Sequence, residues 1–227
     1  MALQVRLFIL LPETERINAM FRLFCLLIGY CLGCIQSAFI VGKLMGRIDI
    51  RDYGSGNAGF TNTARVLGKR AGAIVFVMDL IKVIIAYHIC AAIFDGAGSF
   101  IQGSSLLPGI YGGIGAVLGH NFPCYLKFKG GKGIACTLGL MLCVDWKIAL
   151  ITYIIGFVIF IAKMYISLAS LSMAVIFPVL MVVFKLPLEE TLLMVVLCVL
   201  AYIKHISNIK RLVAGNENKF GFNKVKK

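Results

Sequence analysis

The chain has 227 residues, 60% of them hydrophobic, and a mean hydropathy of +0.93, well above the roughly 45 to 50% apolar content of a soluble domain. That composition excludes an ordinary water-soluble protein and leaves space for one compact membrane domain, because each bilayer-crossing helix takes about 20 residues. A net charge of +13 would suit nucleic acid, yet the basic residues fall between apolar runs and form no solvated stripe, so they read as membrane-side anchors and anion ligands.

Residues 1–19 form a leader with no assigned role: the run 5–11 is too short to cross a bilayer and no small-residue cleavage site follows it. Residues 20–227 then read as a single transmembrane domain. Seven apolar stretches are predicted as helices, at 20–42, 71–94, 107–119, 133–144, 148–162, 168–184 and 188–203. The third and fourth are short and would cross only by tilting or by extending into flanking loops. The predicted fold is therefore all-α, a polytopic transmembrane helix bundle of about seven spans.

Lys and Arg resist translocation and mark the cytoplasmic side. Segments 43–70, 120–132, 163 and 204–227 hold 6, 3, 1 and 7 of the 23 basic residues, whereas 95–106 holds none. This asymmetry predicts the N-terminus outside and the C-terminus in the cytoplasm. Arg6, Arg16 and Arg22 run against it, because they precede or begin the first span.

Two ionisable residues, Asp79 and Lys82, fall inside the second apolar stretch. Spaced three apart they share a helix face, and each is expected to neutralise the other toward the bundle interior as a structural pair. His88, near the outer end of that stretch, reads as an interfacial polar residue. The eight cysteines lie mostly in apolar runs, where thiols pack as small hydrophobes and draw no disulfide framework.

The polar chemistry gathers in three segments. The first is GSGNAGFTNTARVLGKR at 54–70. Its small residues let backbone N–H groups approach an anion, Ser55, Asn57, Thr61 and Asn62 add neutral donors, and Arg65 offers a planar fork to phosphate oxygens. The second is GHNFP at 119–123 followed by FKGGKG at 128–133. A glycine-rich turn entering a helix presents free N–H groups and a positive dipole end. Lys129 and Lys132 add charge there, and His120, Gly130, Gly131 and Gly133 join them as candidate phosphate-binding residues. Gly133 follows Lys132 where a nucleotide-binding P-loop needs Ser or Thr, so ATP hydrolysis has no support. The third segment, 204–217, carries His205, Asn208 and Arg211 at three-residue spacing and ends in Gly-Asn-Glu with Glu217. Carboxylates and histidines are too few and wrongly spaced for a metal centre, and no GxSxG elbow is present. Neither a metal nor another cofactor is expected.

Together, GSGN-x-G-x-TN-x-x-R-x-x-G, GH-x-x-P with FKGGKG, and H-x-x-N-x-x-R-L-x-x-G-x-E resemble the signature segments of the bacterial acyl-phosphate-dependent glycerol-3-phosphate acyltransferases, over residues 21–217. The resemblance implies a multi-pass enzyme of the bacterial inner membrane with its active site on the cytoplasmic face. It implies transfer of an acyl group from acyl phosphate to the 1-hydroxyl of sn-glycerol 3-phosphate, giving lysophosphatidic acid and inorganic phosphate in the first acylation of phospholipid synthesis. It assigns catalysis to Ser55 and Arg65 with support from His205 and Asn208, phosphate binding to the second segment, and a structural role to Glu217. It leaves open a contact with the acyl-phosphate synthase. Ala58 stands where Pro is usual and Phe60 where Ala is common, and neither change removes a polar group. The His-x-x-x-x-Asp pair of acyl-CoA-type acyltransferases is absent. Acyl phosphate is already activated, so positioning and charge can carry the reaction, with a substrate phosphate oxygen or His205 taking the proton.

The competing reading is a transporter for a phosphorylated anion, which would need binding groups near the bilayer midplane and a repeat of its helices. The polar segments lie on one predicted face and no internal repeat is visible.

Overall fold

The computed structural model describes residues 12–95 and 106–220. Most of the leader, at 1–11, the loop at 96–105 and the last residues, at 221–227, lie outside that range, and Arg6 with them. Among the described residues all regular structure is helical. The principal helices are α1 (Glu13–Gly33), α2 (Ser37–Gly46), α3 (Phe60–Leu67), α4 (Lys69–Asp95), α5 (Leu107–Asn121), α6 (Ile134–Val144), α7 (Trp146–Lys163), α8 (Ile166–Val183), α9 (Leu188–Lys204) and α10 (Ile206–Val213). Residues 13–19, assigned to the leader by their polarity, form the opening turns of α1.

Four segments are long and apolar enough to cross a membrane, namely Arg16–Gly46, Lys69–Phe94, Trp146–Lys163 and Ile166–Val183. A fifth is added if α9 and α10, bent by 64° at His205, count as one. Helices α5 and α6, with 15 and 11 residues, extend only about 22 and 16 Å at 1.5 Å per residue. Helix α7 leaves Leu150, Ile154, Phe157, Val158 and Ile161 at least half exposed along one face. Water would penalise such a stripe, whereas lipid solvates it.

Helix association in lipid depends on close backbone approach, for which small residues are required. The α1–α5 seam supplies it. A Cβ at Gly29 would lie 1.9 Å from the Gly112 carbonyl oxygen, and one at Gly33 would lie 2.1 Å from that of Ala116. This contact brings the end of α1 against the end of α5. There Gln36 Nε2 donates to the carbonyls of His120 (3.0 Å) and Gly119 (3.4 Å), partnering groups that a helix C-terminus leaves unpaired. Around α5 the core closes with Val83 of α4, Leu140 of α6, Phe177 of α8 and Met194 of α9, all fully buried or nearly so.

Both ends of the bundle are marked by polar contacts. At one end Arg22 of α1 meets Glu189 in the first turn of α9 at 2.9 Å, and Tyr111 near the start of α5 donates to the same carboxylate. At the other end Lys204, closing α9, donates to the Asn121 carbonyl at the close of α5. The three segments rich in Gly, Asn and Lys all lie at this second end.

Candidate active site

The first segment is a loop tied down from inside. Ile50 and Ala58 are fully buried against Ala38, Val41, Ala71 and Val75, which anchors both arms of the loop to α2 and α4. Asn62, in the first turn of α3, holds the loop. Its Oδ1 accepts from the Ser55 backbone N–H at 2.8 Å, and its Nδ2 donates to the carbonyls of Ile50 (3.1 Å) and Tyr53 (2.9 Å). The amide of Asn62 is thus spent on its own loop, and the residue is 1% exposed. It presents Ser55, which is exposed, with Asn57, Thr61 and Arg65 partly open.

The second segment is a hairpin-like return after α5. The Gly130 N–H donates to the Asn121 carbonyl at 3.3 Å and the Gly131 N–H to that of His120 at 3.1 Å. Lys127 and Phe128 both take left-handed backbone angles, φ 56° and 58°, to turn the chain. Gly131 is wedged between loops: a Cβ there would fall 2.0 Å from His120 Nε2 and 2.6 Å from the Ala58 carbonyl oxygen. Gly133, at φ 78°, opens α6 with no side-chain cap. The first N–H groups of α6 are therefore free for an anion. Lys129 is exposed and engaged through its backbone, whereas Lys132 turns inward.

The third segment meets Lys132. The ammonium donates to Asn208 Oδ1, whose Nδ2 donates to Glu217 Oε1 at 2.6 Å. Glu217 also accepts from Ser167 of α8 at 2.9 Å and pairs with Arg211 at 2.7 Å. Its pKa is lowered from the ordinary carboxylate value: burial opposes this, but hydrogen bonds from Asn208, Arg211 and Ser167 outweigh it. His205, 4% exposed, stands at the bend between α9 and α10. Its Nδ1 lies 2.8 Å from the Ala201 carbonyl oxygen, which can only accept, so the proton sits on Nδ1 and Nε2 is the free acceptor.

Lys132 gathers the electrostatics. Its pKa is pushed down to about 8, first by burial and then by the positive charges of Arg211, Lys204 and Arg65, with Glu217 opposing. Cations from all three segments thus act on Lys132, with Glu217 the opposing carboxylate. Such a site gains most from a multiply charged anion, phosphate above all. Asp79, His120 and Cys136 offer ligand atoms within 4.8 Å of one another. The Lys82 ammonium, 2.8 Å from Asp79 and 3.0 Å from His120 Nδ1, already bonds two of them. A metal ion there would face that charge.

The family profile described as glycerol-3-phosphate acyltransferase matches residues 23–215. The chain belongs to this family. A glycerol-3-phosphate acyltransferase of Thermoanaerobacter pseudethanolicus is 41% identical over 202 residues, covering 89% of this chain and 97% of that protein. One from Aquifex aeolicus is 35% identical over 198 residues, covering 87% and 98%. A crystal structure of PlsY, an integral membrane glycerol 3-phosphate acyltransferase, in its glycerol 3-phosphate form superposes with a TM-score of 0.78 at 36% identity, covering 88% of this chain and 96% of that one. Its lysophosphatidic acid form gives 0.76 at 35%, with the same coverage.

In this acyltransferase several residues that sequence reasoning passed over hold the loops together. Arg51, pinned to Asp49 at 2.6 Å, reaches the carbonyls of Leu126 and Lys129 at 3.4 Å and so ties the first loop to the second. The hydrogen bond and charge of Arg51 hold the Asp49 carboxyl below its usual range. Ser167 joins from α8, 50 residues before its partner Glu217. The only trace of these contacts in the sequence is the Asp-x-Arg spacing of Asp49 and Arg51.

Proposed function

We propose that this acyltransferase moves an acyl group from acyl phosphate to the 1-hydroxyl of sn-glycerol 3-phosphate, at the cytoplasmic face of a bacterial inner membrane. The C1 oxygen forms an ester with the acyl carbon, the acyl carbon–phosphate oxygen bond breaks, and the hydroxyl proton leaves with inorganic phosphate. The product is lysophosphatidic acid. In this reading the chain crosses the bilayer seven times, with α1 and α4 to α9 as the crossings, its N-terminus outside and its C-terminus inside. The basic segments favour that orientation.

The observation that carries the reading is the chain from Lys132 through Asn208 to Glu217 and Arg211, which joins the second segment to the third, with the charges of Lys204 and Arg65 acting on Lys132 as well. Donor, acceptor and product each bear phosphate, and a metal-free cationic pocket can hold two phosphates side by side while polarising the bond between acyl carbon and phosphate. Ser55 and Arg65 are assigned to the reacting groups. Asn57 and Thr61 of the first segment, Lys129, Gly130, Gly131, Lys132 and Gly133 of the second, and Arg211 are assigned to the phosphates. Asn208 holds Lys132, and Asn62 acts by presenting Ser55 instead of touching phosphate. Asp79, Lys82 and Glu217 belong to the frame.

Purified full-length protein in detergent tests this. Phosphate release from palmitoyl phosphate that requires glycerol 3-phosphate, with lysophosphatidic acid formed in equal amount, is the expected result. Acyl transfer from acyl-CoA or acyl carrier protein, with none from acyl phosphate, would overturn the donor assignment.

A further inference from the structure

The buried charges of α4 lie directly beneath the loops just described. Lys82 is 7% exposed, Asp79 1% and His120 3%. The Lys82 ammonium has three N–H bonds and three acceptors around it: the Ile35 carbonyl at 2.9 Å, Asp79 Oδ1 at 2.8 Å and His120 Nδ1 at 3.0 Å. Asp79 Oδ1 also accepts from Ser37 at 2.8 Å and lies 3.3 Å from His120 Nδ1. The ammonium form neutralises the carboxylate, and its third N–H then needs a lone pair on His120 Nδ1. A ring protonated at Nδ1 would set two donors against each other at 3.0 Å. Asp79 Oδ1 already serves Ser37 and Lys82 at 2.8 Å each and is the more distant neighbour of Nδ1, at 3.3 Å against 3.0 Å for the ammonium, which puts the ring proton on Nε2. That atom faces the place where the two loops meet, within 2.0 Å of where a Gly131 Cβ would stand, with the Ala58 carbonyl oxygen 2.6 Å from the same point.

We propose that Lys82 is a positioning residue for acyl transfer: by donating to His120 Nδ1 it locks the ring as the Nε2–H tautomer and aims a neutral donor at the junction of the first and second loops. The Asp79–Lys82 pair then does more than cancel its own charge in the bilayer. Asp79 fixes the ammonium, the ammonium fixes the ring, and the ring supports Gly131 and the loop entering α6. A neutral donor suits this junction, because a further cation there would add to the repulsion among Lys132, Arg65 and Arg211.

The role in transfer rests on the proposed function, but the ring assignment does not, and the test separates them. The full chain, labelled with 15N-histidine in lipid nanodiscs, contains three histidines, and the His120 signals are assigned by their loss in His120→Asn. At neutral pH the wild type is expected to show an unprotonated Nδ1 and a protonated Nε2. The double variant Asp79→Leu, Lys82→Met leaves no charge behind and sets no donor beside His120 Nδ1. It is expected to keep its fold, lose the single tautomer, and fall at least tenfold in kcat/KM for glycerol 3-phosphate, with KM carrying most of the change. A wild-type ring protonated at Nδ1 or at both nitrogens overturns the proposal. So does a folded double variant with unchanged tautomer and kcat/KM. Should the double variant fail to fold, the wild-type spectrum still decides the ring. A wild type without any transfer activity would instead sink the functional reading and leave the tautomer result intact.

Discussion

Gly131→Ala isolates the wedge that joins two of the three loops. The added methyl would lie 2.0 Å from His120 Nε2 and 2.6 Å from the Ala58 carbonyl oxygen, where ordinary contact begins at 3.4 Å. The imidazole cannot simply swing away, because Lys82 holds its other nitrogen at 3.0 Å. Ala58 offers backbone, and it is fully buried. The two loops must therefore part by about 1 Å, an overpacking that costs about 1–3 kcal/mol. A displacement of that size in a positioning element lowers turnover by about 100-fold. The expected outcome is a folded protein, its Tm lower by roughly 2–4 °C per kcal/mol, with kcat/KM for glycerol 3-phosphate down by about two orders of magnitude. The assay is phosphate release in detergent, run beside a thermal melt. A variant that melts normally and retains activity within about threefold of wild type, a change of under 1 kcal/mol, would refute the wedge.

Three further outcomes are expected. Lys132 has its pKa pushed down to about 8, so in the free enzyme this side chain is charged below that pH and neutral above it; kcat/KM for glycerol 3-phosphate should fall as pH rises through about 8. The substrate phosphate, with its second pKa about 6, stays dianionic throughout that window, and Lys132→Arg, which keeps its charge, should flatten the fall; parallel profiles would show that Lys132 does not set it. Asn62→Ala takes the acceptor from the Ser55 N–H and one of two donors from each of the Ile50 and Tyr53 carbonyls, at about 1–3 kcal/mol for the N–H left unpaired. It should cut kcat/KM by more than tenfold, and add little in the Ser55→Ala background, whereas additive losses would place Asn62 on the substrate. His205→Ala should lower kcat by less than about tenfold, or 1.4 kcal/mol, because acyl phosphate needs no strong protein base; a larger loss in single-turnover rates would make His205 Nε2 the proton acceptor.

Much of the site could be read from residue order because its chemistry is local. Gly130 to Gly133 with Lys132 announces an anion cradle at a helix start from composition alone, and the structure has α6 opening there with no side-chain cap. The Asp79 and Lys82 spacing announces a shared helix face, and their 2.8 Å contact lies on one. The two short helices were also legible as short, since α6 ends after 11 residues at Asp145, which caps α7 through two backbone N–H groups. Asn62 was misread. Its place among Ser, Thr and Gly suggested one more phosphate donor, and nothing in the sequence reveals that a buried amide is used up by Ile50, Tyr53 and Ser55.

The sequence by itself determined the solvent and the ligand class: apolar runs need lipid, and Lys and Gly between them need an anion. Those are sums over neighbouring residues, so they survive without coordinates. Only the tertiary structure decided which groups are free to act. Lys132 meets Asn208 across 76 residues, Glu217 meets Ser167 across 50, and Lys82 reaches His120 across 38. Such partners are chosen by helix packing, above all by the α1–α5 glycine seam that brings the helix ends into register, and no local pattern encodes a distance between helices.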